Sequence, residues 1–153
     1  TVKPLDLVSE YGSDALRYYI MRNMVLGQDS SFTLDSFIKR YNADLANDYG
    51  NLVNRVLILI YKNFDQKIPE PGEFDTIDLN LITKAKQIPN QVIICYNSLK
   101  IHDAIELVMG LFRSVNKYLE LKSPWKEIKN DSNLVDLNFF IDEGTSSSNF
   151  PLS

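Results

Sequence analysis

Between Leu34 and Ile60, apolar side chains recur at Leu34, Phe37, Ile38, Tyr41, Leu45, Tyr49, Leu52, Val53, Val56, Leu57 and Ile60. Three-and-four spacing stacks them into one stripe and predicts a single helix from Thr33 to Phe64, roughly 45 Å long at the α-helical rise. No proline interrupts it, Thr33 is a suitable N-cap, and Asp35 suits the positive end of the helix dipole. The polar positions are less ordinary. Asn47, Asn51 and Arg55 fall at i, i+4 and i+8, so two amides and a guanidinium project from one side, with Asn54 beside them. Asparagine competes for nearby backbone groups and forms helix poorly, and Gly50 in the same turn costs about 1 kcal/mol relative to alanine. A purely structural helix would rarely choose this composition. The competing reading is a solvated face with a small residue admitted for close packing.

Upstream, Thr1–Tyr11 reads as an irregular lead-in, because Pro4 fixes an extended backbone and Asp6, Ser9 and Gly12 punctuate it. A helix is expected next, with Ser13 as N-cap, Asp14 in its first turn, Ala15, Leu16, Tyr19, Ile20 and Val25 as its apolar side, and Gly27 as its end. Downstream, Asp65–Thr76, containing Pro69, Pro71 and Gly72, is the clear linker. Leu79–Asn97 predicts a third helix, capped by Asp78 and kinked or broken at Pro89. After a turn at Leu99–His102, Asp103–Leu121 predicts a fourth, with Ile105, Val108, Met109, Phe112, Val115 and Leu119 on one face. Ser123 and Pro124 then read as the N-cap and first residue of a short helical turn that sets Trp125 among Lys122, Lys126 and Lys129. An aromatic ring beside cations can stack a splayed RNA base, although a lone tryptophan is more often a core residue. Leu134–Ile141 is apolar but short, and Gly144–Ser153 reads as a flexible end. No internal repeat is visible.

Composition narrows the classes. The 153 residues suffice for one domain with a real core, and 44% hydrophobic with 24% charged residues is ordinary for a globular protein. The longest fully apolar run, Val56–Tyr61, is far short of the roughly 20 residues a bilayer needs, so a membrane is not an expected partner. A net charge of −4 argues against coating nucleic acid through bulk charge, and DNA is not expected, but a local RNA site is compatible with it. The single Cys95 excludes an internal disulfide and reads as a small buried hydrophobe among Val92, Ile93 and Ile94. His102 has no Cys or His at ligand spacing, so no metal site is expected. Phosphate-loop, nucleophile-elbow and HExxH patterns are absent, and Asp44 with Asp48 reads as a solvated i, i+4 pair. No catalytic residue is therefore assigned.

Three stretches resemble a known family: YGSDALRYYIMRNMVLGQDSSF from Tyr11, YNADLANDYGNLVNR from Tyr41, and the Ser123–Pro124–Trp125 turn. In this order they resemble the C-terminal half of methionyl-tRNA synthetase, over about Thr1 to Lys129. The first stretch is shared with other class I synthetases; the second and third are much more particular. The resemblance implies an all-α fold, the helix bundle that binds the anticodon in class I aminoacyl-tRNA synthetases. It implies methionine-accepting tRNA with a CAU anticodon as partner. It also implies that Asn51 and Arg55 contact the wobble cytosine, that Asn47 supports the same surface, and that Trp125 stacks on an unstacked anticodon base. Lys3, Arg17 and Arg22 become candidates for phosphate contacts.

By the same resemblance the chain starts just after the lysine-rich loop that closes the family's catalytic site. ATP, the adenylate chemistry and any zinc would then belong to a catalytic domain outside this chain, which alone would be inactive, with no cofactor of its own. The expected organisation is a joining segment at 1–32, the bundle at 33–129 and an atypical tail at 130–153. After the Pro–Trp turn the family continues into one or two further long helices, and Lys129–Ser153 does not look like them. The bundle is thus expected to lack its last helices, with Leu134–Ile141 as a makeshift cover over the uncovered face. The cytoplasm is the expected location. A helical docking or scaffold domain without RNA binding is the alternative, and the Asn47, Asn51, Arg55 and Trp125 set discriminates, since a scaffold has no need of it.

Overall fold

The structure, a computed structural model, describes residues 3–25, 27, 32–65, 67–68 and 70–126. Among them the fold is all-α, as the sequence leads one to expect. Lys129, Leu134–Ile141 and the rest of the expected tail lie outside the described residues.

The lead-in is helical rather than irregular. Pro4 opens α1 (Pro4–Tyr11), because its fixed φ suits the first helical position and the N–H it lacks would be unbonded there anyway. Gly12, at φ +84°, turns the chain into α2 (Ser13–Asn23). Ser13 is accordingly the first helical residue and not the cap, and the helix ends short of Gly27.

The predicted long helix is helical along its whole length but not α throughout. It comprises α3 (Leu34–Arg40), a π-helical segment (Tyr41–Gly50) and α4 (Asn51–Asn63). Thr33 caps it as expected, its Oγ1 accepting from the Ser36 N–H at 3.1 Å.

α5 (Thr76–Asn97) begins earlier than its apolar pattern suggests, because Asp75 and not Asp78 is the cap. The Asp75 carboxylate accepts from the N–H groups of Ile77 and Asp78 at 2.7 and 3.0 Å, and Asp78 accepts back from the Asp75 N–H at 2.8 Å. The helix continues through Pro89, which is exposed, so water can replace the hydrogen bond its ring removes. After a turn with Leu99 in the left-handed region, α6 (Ile101–Lys122) folds back along α5.

Two apolar clusters result. Leu7, Ala15, Tyr19 and Phe37 tie α1 and α2 to α3, with the Tyr11 and Tyr19 rings edge-on to Phe37 at 5.2 and 5.5 Å. Leu52, Val56, Leu81, Val115, Tyr118 and Leu119 join α4, α5 and α6. On α4, Leu57, Ile58 and Tyr61 are exposed. Cys95 is half-buried rather than buried.

Candidate functional site

The π-helical segment sets the geometry of the site. Its closing hydrogen bond runs from the Asn51 N–H to the Ala46 carbonyl, five residues back, one more than in an α-helix. A Cβ added at Gly50 would lie 2.9 Å from the Leu45 carbonyl oxygen, a contact that only glycine avoids without moving backbone. The unfavourable residues noticed in the sequence thus fall where the helix changes ring size. Asn47, Asn51 and Asn54 are exposed, and Arg55 is half-buried.

The inward side of the same stretch carries charge, contrary to the solvated pair expected from the sequence. Asp44 is buried, at 3% exposure, not solvated. Its Oδ2 accepts from the Tyr18 hydroxyl at 2.6 Å and from Arg22 Nε at 3.3 Å, with Arg40 at 3.5 Å. Arg22 is itself buried and also pairs with Glu106 on α6, so it is not available for phosphates. Burial and the Asp44 carboxylate push the Tyr18 hydroxyl far above its ordinary pKa. Arg22 also meets His102 Nε2 at 3.1 Å. Because a guanidinium only donates, that nitrogen accepts, and the neutral ring carries its proton on Nδ1, toward Asp103 at 3.3 Å. Asp48 is half-buried as well: Arg113 reaches its carboxylate at 3.3 Å and Asn116 Nδ2 donates to its backbone carbonyl at 2.9 Å. Arg17 and Lys3 are exposed, Arg17 beside Asp14 at 3.2 Å.

Trp125 is brought to this helix from the far end of α6. Ser123 ends α6 in the left-handed region, serving as its C-cap rather than as the N-cap of the next turn, and its hydroxyl donates to the Glu120 carbonyl at 2.7 Å. Pro124 is fully buried and pins the turn. The Trp125 indole, 38% exposed, then lies under the Arg55 guanidinium, whose carbon is 5.3 Å from the ring centroid. Arg55 and Trp125 also border a groove of about 570 Å³, walled by Val56, Ile58, Leu59 and Leu119. Of the four predicted site residues, Asn47, Asn51 and Arg55 lie on one helical run, and Trp125 meets Arg55. Lys122, expected beside the ring, instead turns inward to Asp75 and Asp78 at 2.9 and 3.1 Å.

Residues 1–57 match the family model for class I tRNA synthetases (M). Over 124 residues, 81% of this chain, the sequence is 40% identical to methionine–tRNA ligase of Clostridium perfringens, of which it covers 19%. It is 41% identical over 137 residues to the Oceanobacillus iheyensis ligase, covering 89% of this chain and 20% of that protein. The chain is homologous to the methionyl-tRNA synthetases. Its backbone agrees: Mycobacterium tuberculosis methionyl-tRNA synthetase in complex with methionyl-adenylate superposes with a TM-score of 0.83 at 34% identity, over 91% of this chain and 27% of that one. The chain therefore spans about a fifth to a quarter of the length of its synthetase relatives. Among the described residues no group of three or more His, Cys, Asp or Glu side chains is placed to hold a metal ion. No described helix is long and apolar enough to cross a membrane.

Proposed function

We propose that this chain is the anticodon-binding part of a cytoplasmic methionine–tRNA ligase, which attaches methionine to its tRNA using ATP. The observation that carries the reading is the Arg55 guanidinium on the Trp125 indole, on the helical run that exposes Asn47 and Asn51. A cytosine drawn out of its loop offers acceptors at N3 and O2 and a donor at N4. A guanidinium supplies donors in a fixed fork, an asparagine amide supplies both kinds of group, and an indole supplies a stacking face. With the guanidinium over the indole, Trp125 can stack an anticodon base while Arg55 and Asn51 address the edge of the wobble cytosine of CAU.

On this reading residues 1–32 join the bundle at 33–129 to the catalytic part, and 130–153 is an atypical tail. Lys3 and Arg17 remain phosphate candidates. ATP and the adenylate chemistry, with any zinc, belong to the catalytic part, so the chain alone should show no methionine-dependent pyrophosphate exchange. Calorimetric titration with anticodon stem-loops tests the reading. The chain should prefer a CAU loop, and Trp125→Ala should weaken that complex by about 1–3 kcal/mol with helicity unchanged. Equal affinity for unrelated loops would overturn it.

A second reading, a helical docking or scaffold domain, is favoured by one observation: α4 exposes Leu57 and Tyr61 at 60% and 65%. It requires a protein partner and predicts that Arg55 and Trp125 are dispensable.

A further inference from the structure

Four-residue steps govern both sides of the helical run. Asp44, Asp48, Leu52 and Val56 all turn inward, at 3% exposure for Asp44, 6% for Leu52 and 9% for Val56, with Asp48 half-buried against α6. In an unbroken α-helix these positions would spread around the helix, because four residues exceed one turn of 3.6 by about 40°, and twelve residues drift by about 120°. The π-helical rings contain an extra residue, so a four-residue step within them falls short of a full turn. The shortfall before Gly50 offsets the excess after it. Asn47, Asn51 and Arg55 each precede an inward residue by one position and share the same correction. In a uniform α-helix Asn47 and Arg55 would stand about 80° apart; the wider rings between Asn47 and Gly50 act to reduce that angle.

We infer that the π-helical segment is an alignment device that sets Asn47 and Asn51 in line with Arg55, and that Gly50 and Asn116 are the positioning residues that maintain it. This rests on the RNA-binding reading given above. Gly50 permits the wider ring, since any Cβ would strike the Leu45 carbonyl oxygen. Asn116 donates to the Asp48 carbonyl beside the point where ring size changes, anchoring that backbone to α6, while Arg113 holds the Asp48 carboxylate. Asp44, gripped by Arg22, Tyr18 and Arg40, fixes the segment from the other end.

The test uses the full chain with Gly50→Ala, which favours the α register, and Asn116→Ala, which removes the anchor without adding a side chain. Through-hydrogen-bond NMR couplings report whether Asn51 still bonds to Ala46. Affinities for a CAU stem-loop and for one with the wobble cytosine replaced report the alignment. Both variants should stay helical, lose the five-residue hydrogen bond, and show at least a tenfold smaller preference for the CAU loop. Asn47→Ala should weaken binding in the wild-type background and have no further effect in Gly50→Ala. If Arg55→Ala and Trp125→Ala impair binding but Gly50→Ala and Asn116→Ala leave selection unchanged, the alignment inference is wrong and the RNA-binding reading stands. If Arg55→Ala and Trp125→Ala also have no effect, the RNA-binding reading itself fails. Should Gly50→Ala not fold, Asn116→Ala alone decides.

Discussion

The π-helical segment and α4 are consecutive parts of one helical run, yet the side chains they turn inward differ in kind. Tyr41–Gly50 has ring contacts at Tyr41 and Tyr49, but its inward acidic residues are gripped through charge and hydrogen bonds: Asp44 by Arg22, Tyr18 and Arg40, and Asp48 by Arg113 and, at its backbone carbonyl, Asn116. Asn51–Asn63 is held by apolar contact, with Leu52 and Val56 packed on Leu81, Val115 and Leu119. Apolar contact stabilises in proportion to area and is indifferent to small rotations, whereas paired and hydrogen-bonded groups fix distance and direction. A buried ion pair often contributes little net stability over well-packed apolar residues. The charged half is therefore best understood as specifying geometry, and the apolar half as supplying most of the stability.

Breaking the apolar half should have the larger effect. Val56→Asp buries an unpaired carboxylate at a cost of several kcal/mol, comparable to a domain's whole stability of about 5–15 kcal/mol, and circular dichroism should show an unfolded chain. Asp44→Ala should cost about 3 kcal/mol in denaturant unfolding, at the low end for a broken buried pair because Glu106 still reaches Arg22. The double variant Arg22→Met with Asp44→Leu should recover most of that loss. If it does not, the charged half is a stabilising element in its own right and the contrast drawn here fails.

The smallest effect concerns a cap outside both halves. The N–H of Asp78 and the Lys122 ammonium depress the Asp75 carboxyl to a pKa of about 2. A group whose folded pKa is depressed contributes stability that is present above its unfolded value, near 3.8, and is lost as pH falls through about 2. Carboxyl NMR titration should place the Asp75 midpoint near 2, and Asp75→Ala should abolish that part of the acid dependence.

Much of this was legible from local chemistry. The Thr33 cap, the linker after the long helix and the amphipathic stripes of the later helices need only neighbouring residues to be recognised. The candidate face was legible too, because asparagines and a glycine in mid-helix defy propensity. What escaped was non-local. Asp44 seemed solvated because its partners Tyr18 and Arg22 lie 26 and 22 residues away, and nothing near Asp44 reveals them. Pro4 is ambiguous in sequence, because proline suits both an extended lead-in and a helix start. Asp78 resembles a cap in sequence because it precedes the apolar pattern, whereas Asp75, three residues earlier, is the cap and Asp78 its partner in the capping box. The ring-size change at Gly50 left a compositional trace, but a three-and-four pattern does not distinguish an α-helix from one interrupted by π turns.

Arg55→Ala tests the central claim most directly, through the ratio of affinities for a CAU stem-loop and for the same loop with its wobble cytosine replaced. Reading of a base edge by the guanidinium predicts that the substitution lowers affinity for the CAU loop by about 1–3 kcal/mol, leaves the altered loop nearly untouched and keeps the chain folded. An equal loss for both loops would make Arg55 a phosphate contact and contradict the account.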